Sequence, residues 1–211
     1  MIDCLDSAIC QIESLAKETK RFRYFRETKK NLISPVANQI QGAIFELLVL
    51  SNLIWLSNIK DLSIELYPML PTGRRIEAKV LVNGHWCNFE AKALGYSQHD
   101  VGMKLDSNRV GSHGVKSMIK QITDALRDKA MQLSGAPHAE PTVVLLSLGY
   151  NAESYSAPWG IDDFFTSSRG EAISAVVLYG SFLCKKSPRI YLNHTARAPL
   201  VGSDTEILAA L

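Results

Sequence analysis

Asn83-Gly84 sits between two arms of alternating character, Arg74 to Val82 and His85 to Ala93. No other stretch constrains the fold so tightly. Asn-Gly accepts the positive φ angles of a two-residue type I′ turn, whose twist suits antiparallel strands. If Val82 opposes His85, every other partner follows, because a one-residue slip would turn each side chain to the opposite surface. Lys79 then faces Asn88, Glu77 faces Glu90, and Arg75 faces Lys92. One surface carries Arg75, Glu77, Lys79, Leu81, Trp86, Asn88, Glu90 and Lys92. The other carries Ile76, Ala78, Val80, Val82, Cys87, Phe89 and Ala91, and reads as the core side.

The elements around this hairpin set the class. Residues 3–30 read as one or two helices. Ser34-Pro35 opens a further helix, with Ser at the cap and Pro in the first turn, running to about Asn58. Ser63 to Leu70 alternates as a strand and turns at Pro71-Thr72-Gly73, which sets Glu65 opposite Lys79 as an ion pair. Gly95 to Gly114 reads as a long polar loop. Val115 to Leu133 is an amphipathic helix with Val115, Met118, Ile119, Ile122, Leu126 and Ala130 on one face. Lys116, Lys120, Arg127 and Lys129 take the other sides. Pro141 to Leu148 is a buried strand, Ile161 to Ser167 a short helix, and Ile173 to Tyr179 and Arg189 to Asn193 further strands. A helix joining the hairpin to the next strand implies an α/β domain, a mixed central sheet flanked by helices.

At 211 residues, with no repeat or low-complexity linker, the chain reads as one domain, 1–211. Its four cysteines lack CxxC spacing, which argues against a zinc framework. Few cysteines and an acidic N-terminus without a secretory pattern point to the cytoplasm. The most apolar run, Ala43 to Leu56, reads as too short to span a bilayer. Net charge is only +2, but it is segregated. Between Lys17 and Lys30, seven basic residues stand against Glu18 and Glu27, a local balance of +5.

The chemistry begins with Glu77 and Glu90. Directly opposed side chains have Cβ atoms ~4.5–5.5 Å apart, where like charges repel. A surface shaped for solubility alone would set Glu opposite Lys. Two opposed carboxylates make better sense around a divalent cation, since Mg²⁺ takes one or two carboxylates and completes its shell with water, carbonyls and phosphate oxygens. The plainer alternative is a solvated charge ladder on the wet face of a surface hairpin. Lys92, two residues after Glu90, shares its face and can reach the same ligand. Glu46 lies in Gly42-Ala-Ile-Phe-Glu-Leu-Leu-Val-Leu-Ser, the most apolar helix, where an unpartnered carboxylate is costly. It either snorkels or pairs with an arginine, or it completes a three-carboxylate cluster.

Gly42-x-x-Phe45-Glu46 on a helix, Glu77 on one strand and Glu90-Ala91-Lys92 on the next together resemble the PD-(D/E)XK nuclease superfamily, the restriction-endonuclease-like fold. The likeness covers residues 34–148 as a nuclease-like core. Residues 1–33 form a basic helical extension and 149–211 a C-terminal completion. The resemblance implies an Mg²⁺- or Mn²⁺-dependent endo- or exonuclease acting on nucleic acid, DNA before RNA; cutting both strands would favour a homodimer. It implies that Glu77, Glu90, the carbonyl of Ala91 and Glu46 hold the metal, and that Lys92 positions the attacking water or stabilises the phosphate. The first motif reads Ile76-Glu77 where the family has Pro-Asp. That departure motivates the alternative, a catalytically inactive nucleic-acid-binding or assembly module on the same fold.

Arg21, Arg23 and Arg26, with Phe22, Tyr24 and Phe25 interleaved, suit phosphate contacts and base stacking; a solvated helix with its aromatics docked on the core explains them as well. Lys116, Lys120 and Gln121 are candidates for extending a positive track or helping at the site, against a plain exposed helix face. Lys104 and Arg109 join the same positive track, His99 and His113 are candidates for phosphate contacts against the plainer reading of ordinary loop histidines, and His85 reads as structural.

Overall fold

The computed structural model describes residues 2–94, 113–148, 157–179, 188–202 and 204–211, and the side chains at 2–5 and 113–117 lie outside that description. His99, Lys104 and Arg109 therefore fall outside the described residues, as do the side chains of Lys116 and His113.

The hairpin forms with the register its turn dictates. Strands β2 (Ala78–Val82) and β3 (His85–Ala93) pair Val82 with His85 and Ala78 with Phe89. Asn83 and Gly84 take the positive φ angles of the turn, 49° and 85°. Strand β1 (Ile64–Leu66) adds antiparallel to β2, with Glu65 opposite Lys79 as expected. It is shorter than the expected Ser63–Leu70 because Tyr67 adopts a left-handed φ of 52° and Pro68 follows. The Glu65–Lys79 ion pair does not form. Arg21 takes Glu65 at 3.4 Å, and Glu140 takes Lys79 at 2.8 Å.

Strands β4 (Thr142–Ser147) and β5 (Ala175–Tyr179) continue the sheet in parallel, and β6 (Arg189–Leu192) closes it antiparallel. Strand order is sequence order, β1 through β6. Parallel neighbours require crossovers, supplied by α4 (His113–Leu133) between β3 and β4 and by α5 (Ala157–Phe165) between β4 and β5.

Helices cover both faces. On one lie α1 (Ile2–Glu18), α2 (Phe22–Asn31), α3 (Ala37–Lys60) and a short α6 (Asp204–Ala210). They pack Ile12, Phe25, Phe45, Leu50 and Leu208 against Val80, Phe89, Leu145 and Val177. On the other, α4 and α5 pack Ile122, Leu126 and Ile161 against Val144, Leu146 and Val176. The charged surface of the hairpin is therefore not a wet face throughout: Asn88 and Glu90 are fully buried, whereas Lys92 is exposed.

Helix α3 starts at Ala37, two residues after Pro35, with Ser34 Oγ accepting the Val36 N–H at 3.1 Å. It ends where Asp61 turns left-handed and returns its N–H to Ser57. At 24 residues it is longer than its apolar run suggested. By length and composition alone it could cross a bilayer, yet half of its most apolar window is buried inside the molecule. Trp55 and Ile59 form an exposed pair one turn apart.

Candidate functional site

The β2–β3 ladder stops at Ala78 and Phe89. Beyond it β2 stays with β1: Tyr67 N–H donates to the Glu77 carbonyl at 2.8 Å and Ile76 N–H to the Pro68 carbonyl at 3.1 Å. β3 stays with β4 as far as Ala93 and Ser147. The two strands part at Glu77 and Glu90, and the rungs between them lose main-chain partners. Both carboxylates fill the opening. Glu77 N–H donates to Glu90 Oε2 at 3.2 Å, and Ala91 N–H donates to Glu77 Oε2 at 3.2 Å. The Ala91 carbonyl lies on this same edge, since a strand residue points its N–H and C=O the same way.

The strict alternation read from the sequence fails here. Ile76 belongs to the core under α4, whereas Ala78 belongs to the core under α3. The left-handed turn at Tyr67, opposite Glu77, accounts for the reversal. Arg75 consequently swings to the α3 side, its guanidinium 5.0 Å from the Tyr24 ring and 5.3 Å from the Tyr67 ring. Glu27 pairs with it at 3.4 Å.

Burial separates the two acids from any surface ladder. Glu90 is 0% exposed and Glu77 9%. Glu90 survives there because Lys129 of α4 forms a close ion pair with its Oε1. Lys129 also approaches Gln132 Oε1 at 3.4 Å, and the Gln132 amide donates to the Arg75 carbonyl at 2.7 Å. α4 is thus tied to the segment that carries Glu77.

Glu46 comes from α3, half-buried, with Thr28 Oγ1 of α2 donating to Oε1 at 2.7 Å. Burial, and after it the Glu77 carboxylate, push its pKa up to about 7, against the opposing pull of the Thr28 bond, Arg75 and Lys129. The Tyr67 hydroxyl is driven upward by burial and by the same Glu46 charge. It is buried without a hydrogen-bond partner among the described residues.

Glu46, Glu77 and Glu90 are thereby brought to one region where α3, the parting strands and α4 meet. Lys92 is not drawn into it. It lies exposed, two residues along β3 from Glu90, with no partner among the described residues. Nor do the acids converge on a common point: among the described residues no group of three or more His, Cys, Asp or Glu side chains is gathered as a metal ion would need.

The basic candidates are placed as follows. Arg21 pairs with Glu65, and Arg23 lies 3.5 Å from Glu27. Arg26 is exposed. Phe25 is fully buried and so unavailable for base stacking, while Phe22 and Tyr24 are half-buried and pack against the core. Lys120 is exposed and pairs with Asp124 one turn away at 2.9 Å, while Gln121 is half-buried. His85 is structural: it meets the buried Asp204 at 3.3 Å.

Sequence reasoning missed Lys129, assigning it to the polar side of its helix. The signal was present. Ile122, Leu126, Ala130 and Leu133 are buried, and Lys129 lies within this stripe at helical spacing. A cation inside an apolar stripe points to a buried acid.

Compared with family models, curated proteins and solved structures, the chain matches none of them.

Proposed function

We propose that the protein is a metal-dependent nuclease of the restriction-endonuclease-like kind, hydrolysing phosphodiester bonds, in DNA before RNA. The observation that carries the reading is the burial of two carboxylates, Glu77 and Glu90, at the parting of β2 and β3. An α/β protein has cheaper ways to satisfy two backbone N–H groups than with two ionisable acids and a lysine.

Glu77, Glu90 and the Ala91 carbonyl offer only oxygen, the chemistry that Mg²⁺ and Mn²⁺ accept, while Glu46 is not gathered with them into a three-acid group among the described residues. Burial first, and the Glu77 charge second, raise the pKa of Glu46, and a cation beside it would favour its ionised form. When bound, the ion would polarise the phosphoryl group and lower the pKa of its water. Glu46, titrating at about 7, suits proton transfer near neutrality. Arg75 and Lys129 supply positive charge beside the acids.

The test is cleavage of supercoiled and linear DNA in Mg²⁺ or Mn²⁺, with chelator as control. Glu77→Ala and Glu90→Ala, each checked for folding, are expected to lose at least about a hundredfold in rate, the scale of removing a group that acts in the transition state. Undiminished cleavage by both folded variants rejects the assignment.

A second reading, the inactive nucleic-acid-binding or assembly module, is favoured by Lys129 standing against Glu90 and by the three acids not closing into one metal-holding group among the described residues. DNA binding that ignores metal and never yields products would select it.

A further inference from the structure

Lys129 reaches the acids from an element that the strand triplet does not contain. Its side chain is only 14% exposed and pairs with a carboxylate that is wholly enclosed. Ile122, Leu126, Ala130 and Leu133 bury the same face of α4, so the ammonium is held at the cluster and not left to wander over the surface. Gln132, one turn on, accepts weakly from it at 3.4 Å and fastens to the Arg75 carbonyl at 2.7 Å. Its charge is also felt at Glu46, whose proton affinity it lowers. Lys92 has none of these ties among the described residues.

We propose that Lys129 is the lysine of this site: a built-in counter-ion of Glu90 that a divalent cation displaces. The cation serving the cluster then comes from α4 and not from the Glu90-Ala91-Lys92 triplet. The inference rests on reading Glu77 and Glu90 as metal donors. Its physical basis is competition. A buried carboxylate needs a positive partner, and an ammonium and a divalent ion within a few ångströms on the same carboxylate repel each other strongly in a poorly screened interior. Bound Lys129 balances the buried Glu90 carboxylate; it also opposes metal entry. Removing it should therefore strengthen metal binding, the reverse of what loss of a ligand or of a merely structural residue would do.

The experiment is calorimetric titration of Mn²⁺, without nucleic acid, into the full chain and its Lys129→Met, Lys129→Gln, Lys92→Met and Glu90→Gln variants. Wild type should bind. Lys129→Met and Lys129→Gln should tighten Mn²⁺ by about tenfold or more, Lys92→Met should change it by less than about twofold, and Glu90→Gln should weaken it severely. Lys129→Gln retains a hydrogen-bond donor for Glu90, so it reads the same quantity if Lys129→Met fails to fold. Unchanged or weaker Mn²⁺ binding by folded Lys129→Gln, with wild type binding normally, overturns the inference and leaves the metal site standing. Tightening in Lys92→Met instead moves the counter-ion to the strand and equally overturns it. Absence of Mn²⁺ binding in every protein, wild type included, removes the metal site and the inference with it.

Discussion

Glu90 accepts the main-chain N–H of Glu77 at 3.2 Å, one rung past the last paired residues of β2 and β3. A side chain has replaced a carbonyl in the ladder. Glu77 does the same for Ala91, so the two acids close the opening that they occupy. This gives them a structural share in the fold, and substitution must be planned around it. Glu90→Gln keeps a carbonyl oxygen for the Glu77 N–H but leaves the Lys129 ammonium without its charge partner.

Glu90→Gln is therefore expected to fold with reduced stability. Breaking one side of a buried ion pair costs about 3–5 kcal/mol, less where the survivor can reach water, and Lys129 is partly exposed. The double variant Glu90→Gln with Lys129→Met removes both charges and should recover part of the loss. Urea unfolding of wild type, the two single variants and the double variant gives the coupling energy directly. A double variant whose loss equals the sum of the two single losses would mean that the pair contributes nothing jointly.

Glu46 predicts a pH dependence of stability. Its carboxyl titrates at about 7 in the folded protein, well above the ordinary value of 4.5. Between those pH values the folded state holds a proton that the unfolded state has released, so stability falls as pH rises through the window and levels off above it. Glu46→Gln lacks this penalty. It should melt higher than wild type at pH 8 by roughly 2–4 °C for each kcal/mol regained, and the advantage should shrink towards pH 5. Thermal melts of both proteins at pH 5, 6, 7 and 8 provide the comparison. An advantage that stays constant with pH would assign the effect to packing.

Much of this architecture is legible where the signal is local. Asn83-Gly84 states its own turn, and the turn dictates the pairing from Val82–His85 to Ala78–Phe89. The path beyond is not so legible, because Tyr67 is no ordinary left-handed residue and nothing in its neighbours announces a φ of 52°. That one backbone angle moves Ile76 to the opposite core and Arg75 onto Tyr24 and Tyr67. Long-range choice of charge partners is also hidden: Lys79 selects Glu140, 61 residues away, over the Glu65 that faces it across the strands. Order and spacing mark Glu46, Glu77 and Glu90 as candidates. The motif points to Lys92, whereas the ammonium that pairs with Glu90 is that of Lys129, in the buried stripe of α4. The short α6 was missed because Asp204–Ala210 is under two full turns of helix and carries too little periodicity to register.

Arg75 offers a test of stacking separate from charge. Its flat guanidinium lies 5.0 Å from one tyrosine ring and 5.3 Å from another, with Glu27 at 3.4 Å. Arg75→Lys retains the charge and the reach but loses the planar surface and the fork. A loss of about 1 kcal/mol is expected in chemical unfolding, the usual worth of a partly shielded cation–π contact. Arg75→Met should also raise the pKa of Glu46 further, since Arg75 is one of the groups holding it down. NMR titration of the Glu46 carboxyl carbon would detect that rise, and an unmoved midpoint would place Arg75 electrically outside the cluster.

Asp204 fastens the end of the chain to the hairpin turn. It is 3% exposed, accepts the Asn83 side-chain amide at 3.0 Å and the Val201 N–H at 3.3 Å, and meets His85 Nε2 at 3.3 Å. Those contacts are made by the first residue of α6, whose N-terminal dipole also favours a negative charge. Asp204→Ala removes the carboxylate that accepts from the Val201 N–H and the Asn83 amide. Asn83 and Val201 are both exposed to water, so the substitution should cost about 1 kcal/mol, the usual net worth of a hydrogen bond. The loss should be felt at both places that the carboxylate joins. Hydrogen exchange is therefore expected to quicken in α6 around Ile207 and Leu208 and in β2 next to the turn, while β4 and β5 keep their protection. Faster exchange confined to α6, with the turn unaffected, would mean that Asp204 caps its own helix and does not hold the hairpin.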